Sequence, residues 1–169
     1  MSAGDFCRIF DVSPQNTFVM DKVVLNWQGG MQYDAHVDEH SIILDASEEL
    51  GGMNLGPRPK PLLLVALAGC TGMDVASLAR KMRVDFTRID IEAEAEKTDE
   101  VPSLYTSMVL RYRFEGEGID PAKPLKMVAL SQQRYCGVSD MLRRVAPISI
   151  EVFLNGERID REDVMRMVL

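Results

Sequence analysis

Two cysteines carry the chemistry that this sequence can support. Cys70 lies in Leu67-Ala68-Gly69-Cys70-Thr71-Gly72-Met73-Asp74, and Cys136 in Arg134-Tyr135-Cys136-Gly137-Val138-Ser139-Asp140. Each sits at or near the end of an apolar stretch, beside small residues and a predicted helix end. Thiols placed this way suit redox chemistry better than a structural staple. A thiolate attacking a peroxide yields a sulfenic acid, and a second thiol condenses with it to a disulfide. That chemistry needs a thiolate, which a helix N-terminus or a nearby cation favours and apolar burial opposes. Cys136 precedes a short predicted helix whose dipole would help it. Cys70, taken alone, reads as an inert thiol buried in an apolar helix. Ala68, Gly69, Thr71 and Gly72 leave room beside its sulfur for another backbone, a ligand or a second thiol. A helical glycine costs about 1 kcal/mol relative to alanine, so two of them point to a packing or access requirement. The cysteines are far apart in sequence, and only the fold can bring them together.

Composition narrows the setting. Cys7 is the third cysteine, and so sparse and odd a count does not describe a disulfide-stapled secreted fold. No CxxC occurs, so neither a zinc site nor a thioredoxin motif is supported. His36 and His40 are four apart, but Tyr33 to Asp38 alternates like a strand, and surface histidines are the better reading. The sequence implies no metal and no cofactor. A net charge of -7 argues against nucleic-acid or anionic-membrane partners. The near-apolar run Pro61–Cys70 is about half of a membrane span, and the N-terminus lacks a charged-then-apolar signal pattern. The expectation is a cytoplasmic protein with no membrane partner.

The elements that must position the thiols follow from periodicity. A weakly patterned N-terminal arm (1–16) leads into strands at Phe18–Trp27, Met31–Val37 and Ser41–Asp45, with a Gly29-Gly30 turn after the first. A Gly- and Pro-rich loop (46–60) follows. Leu62–Met82 is one long helix, apolar nearly all round in its first half and ending in Arg80, Lys81 and Arg83, which suit the helix dipole. A helix apolar on every side is buried on every side, here by sheet or by a second subunit. Strands are expected at Val84–Lys97 and Tyr105–Phe114 and a helix at Pro121–Gln133. A break at Tyr135–Gly137 precedes a short helix capped by Ser139, and Ile148–Leu154 is the last strand. Asn155-Gly156 then turns into a tail helix at 161–169, within a C-terminal segment 155–169. Strands and helices do not alternate singly, which makes this an α+β domain with antiparallel sheets, and one domain over 1–169.

The segment Gly56-Pro57-Arg58-Pro59-Lys60-Pro61 through Cys70-Thr71-Gly72-Met73-Asp74-Val75 resembles the first cysteine motif of the OsmC/Ohr family, and residues 134–142 resemble the second. Trp27 with Gly29-Gly30, Leu44-Asp45-Ala46, Gly51-Gly52 and Lys81-Met82-Arg83 are lesser matches. The likeness spans residues 18–154 and is nearest the OsmC-like branch. It implies an intertwined homodimer in which antiparallel sheets from both chains wrap two long central helices. It implies thiol peroxidase activity toward organic hydroperoxides, with Cys70 attacking, Cys136 resolving and an unidentified dithiol as reductant. The family's activating pair is not where the resemblance places it. The hairpin arginine is absent, since no arginine lies between Arg8 and Arg58, and the glutamate's position holds Lys60, with Pro61 after it. Lys60 or Arg58 would have to supply the positive charge, and Glu48 or Glu49 the carboxylate. The alternative is a non-catalytic OsmC-like homodimer that binds a hydrophobic small molecule.

Overall fold

The computed structural model describes residues 20–160. The expected N-terminal arm, the beginning of the first strand at Phe18, the tail helix at 161–169 and Cys7 lie outside the described residues. The chain divides into two compact units at the junction of Gly56 and Pro57.

The first unit is an antiparallel meander of β1 (Val23–Gly29), β2 (Gln32–Val37) and β3 (His40–Leu44). Gly29 and Gly30 turn the chain with φ of 106° and 52°, values that glycine adopts without strain. His36 and His40 fall on neighbouring strands, as the alternation implies. After β3 the buried Asp45 carboxylate organises the loop by accepting N–H bonds from Ala46 (2.8 Å), Met53 (3.0 Å) and Leu55 (3.1 Å). These bonds, Leu55's foremost, hold its carboxyl below the usual carboxylate range. The loop returns so closely on β3 that a Cβ at Gly56 would sit 2.0 Å from the Ile43 carbonyl oxygen.

The second unit contains α1 (Leu62–Met82), β4 (Arg88–Lys97), β5 (Tyr105–Glu115), α2 (Ala122–Leu130), α3 (Gly137–Arg143), β6 (Ile148–Leu154) and the two-residue β7 (Glu157–Arg158). Its sheet has the order β4-β5-β6-β7. Pro61 opens α1, where its missing N–H costs nothing. Arg83 closes it in the left-handed region, its N–H reaching the carbonyls of Ala79 and Arg80.

Four expectations change. β4 begins at Arg88 rather than Val84, because Val84 still bonds back to the Ala79 carbonyl and Phe86 packs on Phe114 with ring centroids 4.9 Å apart. β5 and β6 pair in parallel, from Met108 opposite Ile148 to Phe114 opposite Leu154. The connection between them runs through α2 and α3, the kind of crossover a parallel pair requires. β7 is additional, formed where Asn155 and Gly156, both at positive φ, make a tight hairpin turn. Finally, Ser139 lies inside α3, and the residue capping that helix is Cys136.

The core lies between α1, α2 and one face of the sheet. β5 contributes Met108, Leu110, Tyr112 and Phe114 at alternate positions, all essentially inaccessible. α1 contributes Leu67, Thr71, Val75 and Leu78, and burying a leucine such as Leu67 stabilises by roughly 1.5–3 kcal/mol. Gly72 brings α1 close to β4, since a Cβ there would lie 3.1 Å from Ile91 Cδ1. The opposite stripe, Val65, Gly69, Met73 and Ala76, is exposed, Met73 by 76%. The described residues thus cover only one side of a helix whose first half is apolar nearly all round. Taken over its full length, α1 is long and apolar enough to cross a bilayer, which the run Pro61–Cys70 alone is not. Its inner stripe is nonetheless the core of this unit and carries a hydroxyl bonded to the sheet.

Candidate functional site

Cys70 and Asp74 are four residues apart on α1 and therefore share a face. Thr71 is adjacent and points into the core. The second half of the site comes from the link between α2 and α3. There Ser131–Tyr135 forms a π-turn, with Cys136 N–H bonded to the Ser131 carbonyl at 2.8 Å. Such turns are a rare local distortion, frequent at functional sites. This one places Ser131, Gln132 and Cys136 over the middle of α1. Cys136 is buried and starts α3, its Sγ accepting the Ser139 N–H at 3.4 Å. The Ser139 hydroxyl is buried with no hydrogen-bond partner among the described residues.

The fold does what the sequence left to it. Cys70 Sγ, Cys136 Sγ and a carboxylate oxygen of Asp74 all lie within 4.8 Å of one another, and both cysteines are free thiols. Burial pushes the Cys70 thiol up, and the hydrogen-bonded thiol of Cys136 adds to this. The Val138 N–H acts in the opposite direction, and the Asp74 charge contributes a further, smaller rise.

A buried polar chain supports the pair. Ser131 Oγ–H donates to Asp74 Oδ2 at 2.8 Å. Ser131 Oγ also bonds Thr71 Oγ1 at 2.7 Å, and Thr71 Oγ1 bonds Tyr112 Oη at 2.7 Å. Gln132 Nε2 donates to both Tyr112 Oη (2.8 Å) and Thr71 Oγ1 (3.1 Å). Arg143 fixes Gln132 in turn, donating to its side-chain and main-chain oxygens at 3.1 and 3.2 Å. Burial pushes the Tyr112 phenol up to about 12, against the opposing effect of the bonds to Thr71 and Gln132. A cleft of about 270 Å³ opens beside Cys136 and is lined mainly by polar side chains, among them Gln132, Arg134, Asp140 and Arg143.

The four proposed charge substitutes are placed differently. Lys60 Nζ donates to the Ser103 carbonyl at 2.6 Å and lies 5.9 Å from the centroid of the Tyr105 ring. Arg58 is exposed in the loop before α1. Glu48 and Glu49 form the first turn of a 3₁₀ helix in the first unit. Sequence reasoning overlooked Asp74, Thr71, Ser131, Gln132 and Tyr112. The one available signal was the i, i+4 spacing of Cys70 and Asp74.

Fold and site together define an α+β protein with a thiol pair, one partly buried sulfur on a long helix and one buried sulfur at the head of a short one. The family model of the OsmC-like protein matches residues 51–151, and the chain belongs to that family. Protein YhfA of Escherichia coli strain K12 is 27% identical over 126 residues, which cover 74% of this chain and 91% of that protein. The crystal structure of a hypothetical protein from Aquifex aeolicus VF5 superimposes with a TM-score of 0.71 at 22% identity, covering 83% of this chain and 99% of that one. An organic hydroperoxide resistance protein OsmC from Legionella pneumophila gives 0.60 at 14% identity, covering 81% and 99%. At these identities the two structures establish the likeness of fold.

Proposed function

We propose that the chain reduces organic hydroperoxides through the Cys70–Cys136 pair. The observation that carries the reading is the approach of the two sulfurs to within 4.8 Å. Cys70 loses its proton, and its thiolate attacks the terminal oxygen of ROOH. The O–O bond breaks, RO⁻ takes up a proton and leaves as the alcohol, and Cys70 becomes a sulfenic acid. Cys136 sulfur then displaces the hydroxyl as its own proton is lost, and water and a Cys70–Cys136 disulfide result. An external dithiol restores both thiols by exchange.

The activating arginine and glutamate of the hydroperoxide reductases have no counterparts at their expected positions. The Cys70 thiol is held up by burial and by its neighbours, so the reaction gains speed as pH rises toward and beyond the ordinary thiol range. The exposed stripe of α1 through Val65 and Met73 supports a homodimer in which a second copy covers it. The net charge of -7 supports a protein with no nucleic-acid or anionic-membrane partner. Turnover of cumene hydroperoxide with a dithiol reductant tests the activity. Wild type is expected to turn over and Cys70→Ser to be inactive, and wild-type thiol loss no faster than that of free cysteine would reject it.

A further inference from the structure

We propose that the reduced site is also a binding site for a zinc-class divalent cation, held by Cys70 Sγ, Cys136 Sγ and the Asp74 carboxylate. The sequence offered no such motif, because two ligands come from one turn of α1 and the third from the head of α3. The three donor atoms lie within 4.8 Å of one another. A tetrahedral zinc, with bonds of about 2.3 Å to sulfur and about 2.0–2.2 Å to oxygen, needs its ligand atoms roughly 3.5–3.8 Å apart. The required contraction is therefore about an ångström, within the reach of side-chain rotation. Two sulfurs and one carboxylate select zinc over magnesium or calcium, which take all-oxygen shells.

The surroundings resemble those of a prepared site. Ser131 Oγ–H holds Asp74 Oδ2 at 2.8 Å, which fixes the carboxylate and leaves its other oxygen available. The Ser139 N–H at 3.4 Å from Cys136 Sγ would stabilise a thiolate there. Outer-shell bonds of this kind orient ligands and raise metal affinity. Three protein ligands leave a fourth position for water. Binding is M²⁺ plus two thiols going to a dithiolate complex with release of two protons. A disulfide removes both sulfur ligands at once, so metal binding and pair oxidation exclude each other, and hydroperoxide or diamide, as oxidant, expels the metal.

The test uses the full chain, reduced and freed of metal by chelation. Co²⁺ is added to wild type and its absorption recorded. Zn²⁺ affinity is then measured by competition with a chromophoric chelator for wild type, Cys70→Ser, Cys136→Ser, Asp74→Asn and Cys7→Ser. The expected result is a thiolate-to-cobalt charge-transfer band with tetrahedral visible bands, at one metal per chain. Each of the three ligand variants should lose at least tenfold in Zn²⁺ affinity, and Cys7→Ser less. Absence of the charge-transfer band on wild type overturns the proposal, and needs no variant to fold. So does Asp74→Asn binding within tenfold of wild type, or dependence on Cys7. Peroxide turnover is measured on metal-free protein, so its failure and the failure of metal binding are separate outcomes.

Discussion

Thr71→Val tests whether the buried polar chain holds the two halves of the site together. Valine conserves shape but removes the hydroxyl at the centre of the chain. Thr71 Oγ1 makes three bonds, to Tyr112 Oη and Ser131 Oγ at 2.7 Å each and from Gln132 Nε2 at 3.1 Å. Ser131 keeps its bond to Asp74, Gln132 and Tyr112 keep the bond between them, and Gln132 keeps those from Arg143. Because Ser131 donates to Asp74, Thr71 donates to Ser131 and the Tyr112 O–H donates to Thr71. The substitution therefore leaves that buried donor without its acceptor and costs three net bonds at about 0.5–1.5 kcal/mol each. The expected destabilisation is about 1.5–4.5 kcal/mol. For a chain of this length that lowers Tm by roughly 3–18 °C. The assay is thermal and urea unfolding of the reduced protein at fixed concentration, since any dimer would couple stability to concentration. Arg88→Ala is the control. Its ion pair with Asp90 at 2.7 Å is exposed, and such pairs contribute about 0–1 kcal/mol. If Thr71→Val destabilises no more than Arg88→Ala, the chain does not tie α1 to the π-turn and the reasoning fails.

Three further outcomes follow from the same geometry. Tyr112 has its phenol raised from about 10 to about 12 in the folded state. Its contribution is therefore complete below about pH 10 and is lost as pH rises toward 12, and Tyr112→Phe should flatten this alkaline limb in urea titrations run from pH 8 to 12. Val65→Asp places a charge on the exposed stripe of α1 and should give a folded monomer where wild type sediments as a dimer; an unchanged sedimentation coefficient would exclude that face as the interface. Cys136→Ser should leave the Cys70 sulfenic acid without its resolving partner, so a dimedone adduct at Cys70 should accumulate after one equivalent of peroxide, and mass spectrometry finding the adduct equally in wild type would remove Cys136 from that role.

Much of the framework was legible in the residues. The long helix is found at Leu62–Met82 as its hydrophobic run and opening prolines imply, because proline at the start and charged residues at the end are local signals. The meander follows from alternation and a Gly-Gly turn. The parallel pairing of β5 with β6 was not legible, since strand periodicity is the same for either direction and the choice is made by the crossover through α2 and α3. The start of β4 was misread because Val84 and Phe86 alternate for a different reason, packing at the helix exit. Cys136 and Ser139 exchange roles at the α3 cap because the π-turn shifts the helix start toward the cysteine. At the site, the two cysteines could be picked out by their neighbours. Thr71, Ser131, Gln132 and Tyr112 could not, because each is an ordinary polar residue in its own segment and acquires meaning only where three elements meet.

The central claim is that Cys70 and Cys136 form a redox pair, and peptide mapping tests it most directly. Reduced protein is exposed to substoichiometric cumene hydroperoxide, alkylated, digested without reductant and analysed by mass spectrometry. The expected result is a linked peptide joining Cys70 to Cys136, absent before peroxide, with Cys7 alkylated throughout. Recovery of Cys70 and Cys136 as alkylated thiols after peroxide, or linkage of either to Cys7, would contradict the account.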